Sequence, residues 1–177
     1  MWSPDLHHKW LAVQVRPRGE PGVTTLLERK GYELFVPHCT VPGRSTDARH
    51  VAPLFPGYVF CRFDRHLATS IITTPGVIRI LGTPAGPIPV DDAEIEALQR
   101  MVASELPVET WPYGVRGQRV RVERGPLAGV EGTVVTMKPK DRIVVSVDLV
   151  CRSVAVEIEA HWMDPIRLPY HERPLAV

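Results

Sequence analysis

The residue types best suited to bond chemistry are sparse and badly spaced in this chain. Its three cysteines, Cys39, Cys61 and Cys151, lie far apart with no C-x-x-C spacing, which argues against both a disulfide framework and a structural zinc site. Among the seven histidines, His7 and His8 sit near the terminus and His38 adjoins Cys39, so no four-ligand metal pattern appears. No nucleophile stands with a plausible base, and no glycine loop of the phosphate-cradling kind is present. The expectation is a protein that is not an enzyme and carries no cofactor. What remains is recognition chemistry, concentrated in Leu54 to Phe60, which reads L-F-P-G-Y-V-F. Strand alternation there puts Tyr58 and Phe60 on one face and Val59 and Cys61 on the other. If helices cover only one face of the sheet, then Tyr58, Phe60 and Trp10 of a neighbouring strand form an exposed aromatic patch of the kind that marks protein interfaces. The same pattern also suits a strand buried on both sides.

Charge supplies a second, weaker signal. The 177 residues carry a formal net charge of +1, and the two halves balance separately: 11 Lys and Arg against 10 acids in residues 1–103, 10 against 10 in 104–177. General, tight nucleic-acid binding is not implied. Arg116, Arg119, Arg121 and Arg124 are a local exception interrupted by Glu123, and a solvated strand face explains them. No apolar run approaches the roughly 18 to 20 residues that cross a bilayer, and Met1 to Trp10 lacks the pattern of a signal peptide, so a cytoplasmic location is expected.

These residues need elements to position them. Leu11, Val13 and Val15 share one face of a strand over Lys9 to Val15. Val23, Leu26, Leu27 and Lys30 have helical spacing, with Gly31 placed as the C-terminal cap. Tyr32 to Val36 and Phe55 to Phe63 read as strands, separated by an irregular connection from Pro37 to Pro53. Asp64 is placed to cap a short helix carrying Leu67 and Ile71, and Val77 to Leu81 is another strand. Asp91 to Glu94 has capping-box spacing, with Val90 and Ile95 as a hydrophobic staple and Ile95, Leu98 and Val102 as the stripe. The expected first domain is an α+β sandwich with helices on one face of an antiparallel sheet. Leu106 to Gly117 reads as a linker. Beyond it Val120 and Val122 alternate with charged residues, Gly125-Pro126 turns the chain, and Gly129 and Gly132 permit a bulge or bend. Arg142 to Asp148 and Ser153 to Ile158 alternate again, His161 to Ile166 can close the sheet, and Pro169 to Val177 is a tail.

Four stretches occur in an order that is more specific than any one of them: K-W-L-A-V-Q-V, L-F-P-G-Y-V-F, T-P-G-V-I-R-I-L-G and G-Q-R-V-R-V-E-R-G-P-L-A-G-V-E-G-T-V-V. Together they resemble the NusG/Spt5 family of transcription elongation factors across nearly the whole chain, the last being similar to the KOW motif. The resemblance implies a ferredoxin-like N-terminal (NGN) domain over 1–104, a linker over 105–116, a small SH3-like all-β KOW barrel over 117–168 and a tail over 169–177. It implies a monomer that binds the clamp helices of the largest catalytic subunit of RNA polymerase through Gln14, Phe55, Pro56, Tyr58 and Phe60. A second polymerase contact is implied near His66, Thr69 and Ser70, and contact with non-template DNA at Arg16, Arg18 and Arg29. The barrel is expected to recruit a partner, ribosomal protein S10 or Rho, through the region of Ile158 and Ala160. Ala160 stands where housekeeping members usually have a large aromatic, which puts Rho coupling in doubt.

The short Pro37 to Pro53 connection, the P-L-A-G turn and the D-L-V-C-R-S-V-A-V-E-I run make the chain resemble the specialised antiterminator paralogues of the UpxY, RfaH and LoaP type. The implied function is suppression of pausing or termination; the alternatives are a housekeeping NusG role and a KOW-type RNA- or ribosome-binding module. Thr133-Val134-Val135 and Ile143-Val144-Val145 are β-branched runs, so the barrel is expected to stay β rather than refold into helices.

Overall fold

Residues that alternate between two apolar faces need cover on both sides, and the first sheet is built around that requirement. The computed structural model describes residues 6, 8–42, 49–63, 71–114, 116–137 and 140–166. In chain order its first part is β1 (Trp10–Val15), α1 (Glu20–Arg29), β2 (Leu34–Phe35), β3 (His38–Pro42), β4 (Arg49–Pro53), β5 (Tyr58–Arg62), β6 (Val77–Ile80), β7 (Gly82–Thr83), β8 (Gly86–Pro87), β9 (Pro89–Val90) and α2 (Asp92–Ala103). Strands run in the order β2-β5-β1-β6, antiparallel at each pairing, and β9 also pairs with β1.

Helices cover both faces of this sheet, which corrects the expectation of one covered face. Leu11, Val13 and Val15 of β1, with Val59 and Cys61 of β5, pack with Val23 and Leu27 of α1 and with Ile71. On the opposite face Trp10, Ala12 and Phe60 share a cluster with Ile95, Leu98 and Met101 of α2. The reason lies in β1 and β5 themselves, whose side chains are apolar in both directions and gain roughly 1.5–3 kcal/mol for each large one fully removed from water. The α2 stripe ends on Met101; Val102, expected to share it, is exposed. Asp91 caps this helix by accepting from the Ala93 N–H at 2.9 Å, and Gly31 follows α1 with φ +87° in its expected capping place. Ile71 is buried at the end of a helical turn, while Asp64 and Leu67 fall outside the described residues.

Two expected irregular segments contain strands. Within Pro37 to Pro53, β3 and β4 pair from His38↔Pro53 to Pro42↔Arg49. Within the expected linker, β10 (Val108–Trp111) pairs antiparallel with β14 (Arg152–Ile158). The rest of the second sheet is β11 (Gln118–Val122), β12 (Glu131–Met137), β13 (Lys140–Val147) and β15 (Met163–Pro165), ordered β10-β14-β13-β12-β11-β15. As the β-branched runs predict, Thr133–Val135 and Ile143–Val145 lie in strands β12 and β13. Arg142 fastens β10 to the sheet: its Nη1 lies 2.5 Å from Glu109 Oε1, and its guanidinium sits 5.2 Å from the centroid of the Trp111 ring.

One apolar cluster joins the two sheets. It runs from Trp10 and Phe60 through Ile95, Leu98 and Met101 of α2 to Ile143, Val145 and Val156 of the barrel. Glu94 Oε1 accepts from the Asp148 N–H at 3.3 Å, so this side chain of the expected capping box is turned towards the barrel.

Candidate protein-binding site

Cross-strand pairs on one face arrange the first sheet in rows. Arg62, Trp10 and Val90 form one row, with the Arg62 guanidinium 5.4 Å from the Trp10 ring centroid. Phe60 and Ala12 form the next, with Leu81 hydrogen-bonded alongside through its N–H to the Ala12 carbonyl at 2.9 Å. Tyr58, Gln14 and Arg79 form the third. The second row is fully buried. In the third row Tyr58 and Gln14 are half-buried and Arg79 is exposed, and Arg79 Nε donates to Gln14 Oε1 at 2.8 Å.

This geometry corrects the exposed aromatic patch. Phe60 retains 0% of its accessible surface and Phe55 1%; they meet edge to face with centroids 5.5 Å apart, and Phe35 stacks beside Phe60 at 6.2 Å. Trp10 is buried as well. Of the five residues expected to meet a partner, Gln14, Pro56 and Tyr58 reach the surface, and Phe55 and Phe60 form the support beneath.

Pro56 owes its position to the turn that carries it. Gly57 has φ +85°, a conformation that glycine adopts without strain. Its carbonyl accepts from the Val15 N–H at 2.9 Å, and its N–H donates to Glu20 Oε1 at 2.7 Å. Glu20 is buried in the first turn of α1, so a carboxylate at a helix N-terminus holds the loop. The sequence offered no sign of this role, because an acidic residue in a first helical turn is ordinary. Beside Pro56 and Gly57 opens a groove of about 930 Å³, walled by Pro17, Pro21, Val36, Val51 and Pro53. Arg18, a non-glycine residue with φ +62°, stands at its edge.

Arg16, Arg18 and Arg29 are all exposed. His66, Thr69 and Ser70 fall outside the described residues. In the barrel, Ile158 is only 5% exposed, which corrects its expected place on a partner surface: it lies on the inward face of β14 and packs in the shared cluster. Ala160 opens the 3-10 turn Ala160–Trp162.

Between α2 and the barrel lies a cleft of about 610 Å³ with both signs of charge on each wall, Glu94, Glu96 and Arg100 on the helix and Arg119, Arg121, Glu131 and Asp148 on the barrel. Burial, chiefly, raises the Glu94 pKa above the usual carboxylate range; the Asp148 N–H opposes the shift and nearby Asp148 and Asp91 add to it. Burial also pushes the Cys61 thiol up to about 12, so it is held in the unreactive protonated form. Among the described residues no group of three or more His, Cys, Asp or Glu is arranged to hold a metal ion. No helix among them is long and apolar enough to cross a membrane.

A family model described as "Transcription termination factor nusG" matches residues 8–99. The chain is 37% identical over 113 residues to the transcription termination/antitermination protein NusG of Vibrio vulnificus, covering 59% of this chain and 60% of that protein. It therefore spans about 60% of the length of that relative. Neisseria meningitidis serogroup B has a protein of the same name that is 29% identical over 180 residues, covering 89% of this chain and 98% of that one. Among solved structures, one of domain interaction in Thermotoga maritima NusG superimposes with a TM-score of 0.56 at 21% identity, covering 90% of this chain and 97% of that one. That likeness is one of fold.

Proposed function

The chain belongs to the NusG family, and from that membership we propose that it acts as a transcription termination/antitermination factor binding RNA polymerase through its first domain. The observation that carries the reading is the third row of the sheet: Gln14 and Tyr58, with Pro56 beside them, stay accessible while Trp10, Phe55 and Phe60 are covered. They are the proposed contact with the clamp helices of the largest catalytic subunit. Phe55 and Phe60 act through packing, as the rigid floor under that contact. His66, Thr69 and Ser70 are the proposed second polymerase contact, and Arg16, Arg18 and Arg29 face the non-template strand by phosphate attraction.

A factor bound to two sides of the polymerase channel favours the closed clamp by its differential affinity for that state, which resists pausing. No bond is made or broken by the factor. The barrel recruits a second partner, ribosomal protein S10 or Rho being the candidates. Ala160 and the D-L-V-C-R-S-V-A-V-E-I run favour an antiterminator over a housekeeping role. In vitro transcription on a template with pause sites and a Rho-dependent terminator tests both levels. Fewer pauses and more readthrough are expected; unchanged pausing and termination would refute the proposal, and stimulated Rho termination would reassign the chain to housekeeping work.

A further inference from the structure

The row Tyr58, Gln14, Arg79 contains one residue, the arginine of T-P-G-V-I-R-I-L-G, to which the resemblance assigned no contact. Arg79 is exposed on β6, the edge strand of the sheet, and its Nε donates to Gln14 Oε1 at 2.8 Å, which orients the guanidinium along the row. Several strand arginines have carboxylates: Arg62 has Glu33, Arg119 and Arg121 have Glu131, and Arg142 has Glu109 and Glu157. Arg152, at the start of β14, has none among the described residues, but no side-chain acceptor orients it as Gln14 orients Arg79. Arg79 has no such ion pair among the described residues. Its neighbour Ile78 is 53% exposed.

We infer that Arg79 is a partner-binding residue, which takes a carboxylate of the RNA polymerase surface docked on the Tyr58–Gln14–Arg79 row. The inference rests on the polymerase-binding reading above. A half-buried tyrosine, an exposed isoleucine and an oriented arginine with free fork donors are the composition of a protein contact, in which arginine and tyrosine are the characteristic anchors. A planar guanidinium fixed on one edge presents its remaining N–H groups to a carboxylate in the geometry of a two-bond pair. The row itself holds one cation, whereas a phosphate backbone is held by several along a track. A charge on an edge strand also blocks strand-to-strand association, but that task does not require the side chain to be tethered to Gln14.

The test uses the full chain and purified bacterial core RNA polymerase, with affinity read by fluorescence anisotropy at about 0.15 M salt. Arg79→Glu is expected to weaken binding at least about ten-fold, and Arg79→Ala less, because reversal adds like-charge repulsion to the lost pair. Melting temperatures of both should match the unchanged chain. Wild-type affinity in Arg79→Glu overturns the inference. So does a variant that alters only self-association, the edge-protection outcome, or only affinity for a single-stranded DNA oligonucleotide, the phosphate outcome. If the unchanged chain itself fails to bind polymerase, the functional reading falls and this inference with it.

Discussion

Arg100 of α2 donates from Nη1 to the backbone carbonyl of Ala128 at 2.7 Å, and so ties a helix of the first domain to the turn that opens the barrel. Gly129 is shaped around the same side chain: a Cβ there would lie 2.3 Å from Arg100 Nη1, and the residue has φ +87°.

Removing that tie should loosen the barrel turn before the rest of the protein. Arg100→Ala is expected to lower stability by about 1 kcal/mol, the net worth of a hydrogen bond with a charged donor that is partly in water. Amide exchange of residues 125–130 should accelerate more than that of β1 or β5, where hydrogen bonding is unchanged. Equal acceleration throughout would show that the contact has no local role.

A single apolar cluster spanning both sheets should melt as one unit. Urea unfolding followed by tryptophan fluorescence and by far-ultraviolet circular dichroism is expected to give coincident transitions. Two separated transitions would mean that α2 serves the two cores unequally.

Phe60 and Tyr58 should part company under substitution. Phe60→Ala opens a cavity in a fully buried cluster and should cost about 3–5 kcal/mol of stability. Tyr58→Ala, at a half-buried rim position, should disturb folding less and polymerase affinity more. A binding loss confined to Phe60→Ala in protein that is still folded would reverse the assignment.

Glu20→Ala leaves the Gly57 N–H without its acceptor, an expected loss of about 1–3 kcal/mol; Glu20→Gln keeps an acceptor and should lose less. Urea midpoints of the two variants decide this.

Thiol chemistry offers a check on burial. At pH 8 in native protein, Cys151 should react with a thiol reagent quickly, and Cys39 and Cys61 only on unfolding. The Cys61 pKa is raised to about 12 from its usual 9.0, so the folded state favours the protonated thiol. The associated stability is therefore complete below pH 9 and is lost as pH rises towards 12. A Cys61→Ala variant should show a shallower alkaline decline than the parent chain.

Much of the architecture was legible in the residues, and the misses have physical causes. Alternation in Leu11, Val13 and Val15 gave β1, and Asp91 gave the start of α2. What alternation could not decide was whether the second apolar face of β1 and β5 met a helix or a partner, since Phe60 reads the same in either surrounding. Prolines at 37, 42 and 53 hid the β3–β4 hairpin, because they mark its ends without interrupting its pairing. Trp111 and Glu109 showed no strand period, and β10 depends on Arg142, distant in sequence, to hold it. At the candidate site, Tyr58 and Gln14 could be read from a resemblance. Arg79 and Glu20 could not, because their roles arise from partners 65 and 37 residues away.

The strand β10 changes the reach of the barrel. With Val108 to Trp111 paired to β14, the free tether behind α2 shrinks to the four residues between Ala103 and Val108, about 14 Å at full extension. A cargo captured by the barrel would stay within a short radius of α2, at a high local concentration set by the tether's length. Unzipping β10 would lengthen that leash only after the shared cluster and the Arg100–Ala128 hydrogen bond had also parted, so in the folded protein the barrel keeps its cargo at a fixed address beside α2.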